Sequence, residues 1–306
     1  MKRSVWFFFF LLAVFGSTNE VKGQFFARPD TLNKTRLAVT LGISGGVYAS
    51  AMSALYFLWY RDYPQSGFHW INDNSNWLQI DKVGHATTVA VSSEYMYEAL
   101  RWSGLNNKKA ALYGALTGWG FLTTVEVFDG FSAEWGASWG DLIANTAGAG
   151  IFLSQQLLWK EQRFRLKFSY FPSDLYAPHR PDLLGENHAQ RILKDYNSQT
   201  YWLSGNIHAW LKPDSRFPKW LNVAVGYGGK GMLGAASNPD EYHGTPLPDY
   251  KRTRQFYLSL DVDWTRIHTR SPVLKTFLKV ISFVKIPFPA LEYNKEDGMV
   301  WHWLFY

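Results

Sequence analysis

Residues 37–60 form a run of 24 without one acidic or basic side chain, closed by Arg61 and Asp62. Wound as an α-helix the run would extend roughly 36 Å, enough to cross a bilayer. A chain that carries such a segment must bury it in a bundle or give it to lipid, and both outcomes are open from the sequence. Small residues (Gly42, Ser44, Gly45, Gly46, Ala49, Ser50, Ser53) would let one side pack tightly against another helix in either setting.

Two more apolar helices follow, at 110–128, interrupted only by Glu126, and at 142–159, uncharged over 18 residues. An amphipathic helix from about His85 to Trp102 precedes them, and connectors such as 103–107 are short enough to make neighbours antiparallel. Past Lys160 the texture changes. Residues 163–171, 200–211, 221–227 and 255–265 alternate in polarity or favour β-branched and aromatic side chains, the pattern of strands, with Pro-, Gly-, Asp- and Asn-rich connections at 172–187 and 233–251. The glycines from Gly226 to Gly234 are expected to form a loop needing positive φ; without an amphipathic helix behind them, a phosphate site of the Rossmann type is set aside.

Ser271-Pro272 starts a short helix expected over 272–285, with Val273, Phe277, Ile281 and Val284 on one side and Lys275 and Lys279 on another. Its apolar side is expected to pack on the parent domain, although the lysines would suit a membrane surface. Residues 298–306 make a final strand whose aromatic end, Tyr306, is like the terminal signal of outer-membrane barrels and equally fits an edge strand. The expected fold is α+β: an apolar helical bundle over 25–159, then an antiparallel β-sheet or small barrel-like domain over 160–306.

Composition points to the cell envelope. Charged residues are 18% of the chain, below the usual share of about 25%, while 15 Trp, 17 Tyr and 22 Phe supply rings suited to a membrane–water boundary. Residues 1–24 read as an export signal, with Lys2 and Arg3 ahead of an 11-residue apolar run that is short of the ~20 needed to span hydrocarbon. Zero cysteine excludes disulfides, thiol catalysis, Cys-ligated zinc and an acylated cysteine. The net charge of +6 is spread along the chain and suits anionic headgroups. No basic run or RNA-binding signature is present, so the expected partners are membrane lipid and other envelope proteins, with no nucleic acid.

The few polar residues of the helical half cluster. In Asp81-Lys82-Val83-Gly84-His85, Lys82 and His85 lie three apart and can face the same way. As chemistry, the imidazole would transfer protons or await a metal; as structure, Asp81 would cap a helix and Lys82 answer a carboxylate across the bundle. Glu126 and Asp129 share a helix side at spacing three, Asp141 and Asn145 at spacing four, and Gly148 permits close approach on the next turn. Asp141, three after Ser138, also fits a capping box. Buried carboxylates need cations or donors, and Lys82 and His85 are the obvious partners. Glu126, Asp129, Asp141 and Asn145 offer oxygens to a hard cation, with His85 as a nitrogen ligand, but no metal motif of fixed spacing appears, so metal and cofactor stay open. For hydrolysis, His85 would act as base with Asp129 or Asp141 orienting it, although neither a nucleophile elbow nor HExxH is present. Glu94 and Glu98 read as a solvated helix face.

Taken together, Asp81-Lys82-x-x-His85, Glu126-x-x-Asp129-Gly130 and Asp141-x-x-x-Asn145-x-x-Gly148 resemble the YfiM-like family of predicted periplasmic lipoproteins over roughly residues 79–150. The last element is also similar to the acidic-to-Asn-Gly end of VanZ-like membrane proteins, which implies a related helical arrangement and no substrate. The later half, with Lys194-Asp195-Tyr196-Asn197-Ser198-Gln199-Thr200-Tyr201-Trp202-Leu203-Ser204, resembles the longer YfiM-like members. Lacking cysteine, the chain departs from the lipoprotein members, which points to direct insertion of helices or strands. The reading that follows is an exported envelope protein of the outer membrane or periplasmic face, structural or binding in role. Two alternatives stand beside it: a hydrolase of an envelope lipid or phospho-substrate using His85, Asp129 and Asp141, and an inner-membrane helical protein with a periplasmic β domain.

Overall fold

Asn33 opens the first helix of the computed structural model, which describes residues 25–61 and 63–305. Its side chain accepts from the backbone N–H of Arg36 and starts α1 (Lys34–Leu55), which a π-turn over Tyr56–Tyr60 extends. The export segment at 1–24 and the terminal Tyr306 lie outside the described residues. α1 is long and apolar enough to cross a membrane by length and composition, and only Thr40 and Met52 along it are buried. It leans on the next helix through Thr40, which donates to the carbonyl of Ala99, and Ser44, which meets Met96. The glycines expected to seat a partner helix, Gly42, Gly45 and Gly46, face open space, and Val39, Leu41, Ile43 and Val47 are exposed.

The helices α2 (Ile80–Trp102), α3 (Asn107–Gly130) and α4 (Trp139–Leu158) pack around Met96, Tyr97, Leu100, Ala110, Ala111, Ala115 and Phe152. Small residues set their spacing. Gly114 and Gly118 on α3 lie against the α2 backbone at Ser93 and Val89, and a Cβ on Gly148 of α4 would stand 2.2 Å from the carbonyl oxygen of Ala86. Such contact brings the helix axes to the near limit of packing, so polar groups on adjacent turns are forced together. Glu94 and Glu98 are not a solvated face: Glu94 accepts from Arg165 at 2.5 Å, and Glu98 from Arg28 at 2.6 Å and Lys279 at 2.9 Å. Both carboxylates tie α2 to other segments.

Six strands follow: β1 (Phe164–Tyr170), β2 (Gln199–Asn206), β3 (Leu221–Lys230), β4 (Thr253–Val262), β5 (Phe288–Asn294) and β6 (Gly298–Phe305). They form one antiparallel sheet in the order β6-β5-β4-β3-β2-β1, so each strand pairs with its neighbour in the chain. Two features differ from the sequence expectation. The β5 strand is unforeseen, since no strand is expected between the helix at 272–285 and residue 298; Pro287 and Pro289 both fall at its entrance, where a missing N–H costs no ladder bond. The glycines of 226–234 continue β3 as far as Lys230, and within that stretch only Gly231 takes positive φ, at +78°. Gly226 and Gly229 are there for proximity: a Cβ would stand 2.7 Å from the Trp202 ring and 2.9 Å from the Ile80 side chain.

The sheet curls strongly. Lys167 on β1 and Asp261 on β4 have two strands between them, roughly 14 Å in a flat sheet, yet their charged atoms meet at 2.6 Å. Phe305 on β6 lies with its ring centroid 6.0 Å from that of Trp202 on β2, across three intervening strands. The segment entering β5 then reaches back to β1, where Val284 bridges Phe168 and the N–H of Lys285 donates to the Phe168 carbonyl at 3.0 Å. This is barrel-like curvature on an open meander. The face turned inward is mixed: beside the apolar cluster of Trp202, Ala224, Tyr257 and Phe305 it holds Lys167, Ser204, Asn222 and Asp261, all at 0% exposure. Most of their groups pair with one another: Ser204 donates to Asp261 at 2.6 Å, Asn222 to Ser204 at 2.9 Å and Asn206 to Asn222 at 2.7 Å, while Asp261 Oδ1 has no hydrogen-bond partner. The outward face carries an apolar row in cross-strand register, Leu203, Val225, Leu258, Leu291 and Trp301.

Ser271 caps α5 (Pro272–Val280) by accepting from the N–H of Leu274. Contrary to expectation its apolar side does not pack inward. Leu278 is buried and Lys279 reaches Glu98, whereas Val273, Leu274, Phe277 and Val280 are exposed. Helices and sheet meet at the outward face near one strand end, where Gly84 accommodates Tyr201 and the Tyr227 hydroxyl donates to the carbonyl of Leu78.

The glycine contacts make a paired prediction. Gly148→Ala should cost about 1–3 kcal/mol because backbone would have to move, while Gly150→Ala, whose Cβ would meet nothing within 4 Å, should be neutral or stabilise by up to about 1 kcal/mol. Denaturant unfolding of the two variants beside the parent chain measures both.

Candidate functional site

A turn of unusual backbone delivers the first group of polar residues. Trp77, Leu78 and Gln79 hold φ of 47°, 53° and 65°, a left-handed path that costs non-glycine residues roughly 1–2 kcal/mol each. The Trp77 N–H donates to the Ala235 carbonyl at 2.8 Å and Arg254 donates to the Gln79 side chain at 2.6 Å, so the β half holds the turn in place. Ile80 then begins α2, with Gln79 as its N-cap. Asp81 therefore sits inside the first turn and is not the cap that the sequence suggested. Its role is to face Lys82 at 3.1 Å.

Lys82 is the centre of the first cluster. Its ammonium lies 2.6 Å from Asp73, 3.1 Å from Asp81 and 3.1 Å from Asp141. Ser138 caps α4 by accepting from the N–H of Asp141 at 3.2 Å, and its hydroxyl donates to Asp73 at 2.5 Å. The return half of a capping box is absent: the N–H of Ser138 donates to Glu126 of α3 at 3.0 Å. Gly140 makes the fit possible, since a Cβ there would stand 2.2 Å from the Asn74 side-chain oxygen.

The second cluster adjoins the first through Asp141. His85 Nδ1 lies 3.1 Å from Asn145 Oδ1 and 3.7 Å from Glu126 Oε1, and its Nε2 lies 4.0 Å from Asp141 Oδ1. Asp129, the other residue that the sequence set beside His85, accepts instead from the Tyr60 hydroxyl at 2.7 Å. Four buried atoms in the combined site have no hydrogen-bond partner: Asp81 Oδ1, Glu126 Oε1, Asp141 Oδ1 and Asn145 Nδ2.

Charge and burial conflict here. Burial, then repulsion from Asp141, pushes the Glu126 carboxyl up to about 9. Burial lifts Asp129 to about 7 against the Tyr60 hydrogen bond, and lifts Asp81 to about 6 against the pull of Lys82. Burial also raises Asp141. At Asp73 burial is outweighed by hydrogen bonds from Lys82 and Ser138, which hold its carboxyl below the usual range. Lys82 is held firmly charged, because Asp81, Asp141 and Asp73 together overcome its desolvation. The N-termini of α2 and α4 both end here, adding partial positive charge beside Asp81 and Asp141.

The helices thus bring together His85, Glu126, Asp141 and Asn145, with Asp81 and Lys82 alongside. Sequence reasoning missed Asp73 and Tyr60. Asp73 stands in Asn72-Asp73-Asn74, which reads as a plain turn, and nothing local marks it as the partner of a helix 65 residues on. Two groups of three could hold a metal ion, each residue offering one donor atom within 4.8 Å of the others: His85 with Glu126 and Asp141, and Asp73 with Asp81 and Asp141.

Residues 68–155 match the model of a family described as predicted periplasmic lipoproteins (DUF2279), a span that contains every residue of both clusters. This similarity supports an exported envelope protein and assigns no reaction. No curated protein and no solved structure matches the chain.

Two outcomes follow from the electrostatics. Lys82→Met should destabilise the fold by about 3–5 kcal/mol, because three carboxylates lose their shared cation; calorimetry at neutral pH measures it. Asp129 is protonated in the folded chain up to about 7 and in the unfolded chain only up to about 3.9, so its ionisation opposes folding as pH rises through that window. Stability of the parent chain relative to Asp129→Asn should therefore fall by several degrees of Tm between those pH values and stay level above them. A parallel pH series of melts checks the sign.

Proposed function

We propose that this chain is an exported cell-envelope protein whose curled sheet sits against outer-membrane lipid, with a structural or binding role there. The observation that carries the reading is the inversion of the sheet. Its inward side holds a hydrogen-bonded polar network around the Lys167–Asp261 ion pair beside a small apolar cluster of Trp202, Ala224, Tyr257 and Phe305, and its outward side exposes Val225, Phe256, Leu258, Tyr293, Trp301 and Trp303. Water penalises that arrangement by roughly 25 cal/mol per Å² of apolar surface, whereas hydrocarbon rewards it. Alternation with the apolar side outward is the pattern of strands that face lipid. The unpartnered side of α1, the exposed side of α5 and the stacked pair Trp70–Trp139, with centroids 4.1 Å apart, add further exposed apolar surface. Membrane lipid is accordingly the principal partner in this reading. The 194–204 block further supports placing the chain among the longer YfiM-like members.

A hydrolase of an envelope lipid or phospho-substrate is the second reading. It is favoured by one observation: His85, 19% exposed at its side chain, is the most accessible member of its cluster and lies beside Asp141. Asp141 would be its orienting group, since Asp129 is engaged by Tyr60.

Density separation of envelope membranes tests the first reading. The chain should travel with the outer membrane, and its Trp fluorescence should be quenched by brominated lipid in vesicles. Leu258→Lys, which sets a charge in the middle of the apolar row, should reduce vesicle binding by about tenfold or more, from a cost of roughly 2–4 kcal/mol. Recovery with the inner membrane, or Leu258→Lys binding as the parent does, would overturn it.

A further inference from the structure

We infer that His85, Glu126 and Asp141 form a binding site for one divalent first-row transition ion, with Zn²⁺ and Mn²⁺ as the fitting class. The argument begins from two adjoining acidic groups that share one residue. In the first, Asp73, Asp81 and Asp141 surround the Lys82 ammonium at 2.6–3.1 Å, so a cation is already part of the protein. In the second, Glu126 and Asp141 turn their remaining oxygens, Oε1 and Oδ1, toward His85 and find no donor. Those side chains are 3% and 8% exposed, so water does not serve them freely. Lys82 cannot serve both groups, because Asp141 meets it through Oδ2 and leaves Oδ1 for the other side.

An ion there would supply the missing positive charge. The three donor atoms lie within 4.8 Å of one another, and donors on a four-coordinate ion at about 2 Å would be roughly 3.4 Å apart, a contraction that side-chain rotation can deliver. With Nε2 as the ligand atom, His85 Nδ1–H donates to Asn145 Oδ1 at 3.1 Å, which fixes the tautomer that ligation needs. One imidazole with carboxylate oxygens and no thiolate suits Zn²⁺ or Mn²⁺ better than Mg²⁺ or Ca²⁺, which prefer oxygen alone. The inference is independent of the membrane assignment, because uptake by the chain in detergent does not depend on which membrane it came from.

The test is isothermal titration of the full chain, purified in detergent and stripped with a chelator, using Zn²⁺ and in parallel Mn²⁺. One equivalent of metal should bind. Glu126→Gln and Asp141→Asn should each weaken Zn²⁺ binding by about 100-fold or more, a larger effect than that of supporting residues. Asp182→Asn, a surface acid paired with Arg180, should leave it unchanged. Melting the metal-free variants separates binding from folding: Glu126→Gln should stay close to the parent in stability, since the amide keeps the side chain's size and an oxygen to accept the Ser138 N–H. Absence of stoichiometric uptake of both ions by the parent, preference for Mg²⁺ or Ca²⁺, or retained affinity in a folded Glu126→Gln would each overturn the site.

Discussion

The cost of burying negative charge governs the helical half. Five carboxylates, Asp73, Asp81, Glu126, Asp129 and Asp141, converge at one end of the three packed helices, and a single ammonium, that of Lys82, stands among them. An isolated buried carboxylate in such a place is neutral or partnered. The chain uses several partial answers at once: Lys82 for Asp73, Asp81 and Asp141, the Ser138 hydroxyl and N–H for Asp73 and Glu126, the Tyr60 hydroxyl for Asp129, and two helix N-termini beside Asp81 and Asp141. Each answer needs close helices, and the contact at Gly148 provides them. The left-handed turn at Trp77–Gln79 sets the phase at which Asp81, Lys82 and His85 enter α2, and the β half holds that turn through Ala235 and Arg254.

The β half meets the same problem with an opposite solution. Its Lys167–Asp261 pair is enclosed at 2.6 Å among hydrogen-bonding side chains, and many of its large apolar residues are turned out. Buried ion pairs of this kind contribute little net stability in water.

Much of this was legible in the sequence, and the reasons differ by element. The helices showed in long uncharged runs, and the Lys82, His85, Glu126, Asp141 and Asn145 set showed because polar residues in such runs are few and fall at helical spacing. Asp73 was hidden because a loop residue has no period to betray its direction, and Tyr60 because a ring at the end of an apolar helical run reads as one more apolar residue. Strand β5 was masked by two prolines at its entrance, and the glycines of β3 by their resemblance to a turn; in both cases tertiary packing overrode local preference. The outward apolar side of α5 was also misjudged. Periodicity fixes which residues share a side, and says nothing of whether that side meets protein, water or lipid.

The contact between the segment at Val284–Lys285 and Phe168 differs in kind from every ladder in the sheet. Each of the five strand pairings joins consecutive strands and can zip from its own hairpin, whereas this one joins positions 116 residues apart in sequence. Loop-closure entropy places such a contact late on the route to the native state. The curled sheet is then a ribbon assembled hairpin by hairpin and fastened by one short clasp, and until the clasp shuts, its wet lining and greasy exterior are both accessible to the surroundings.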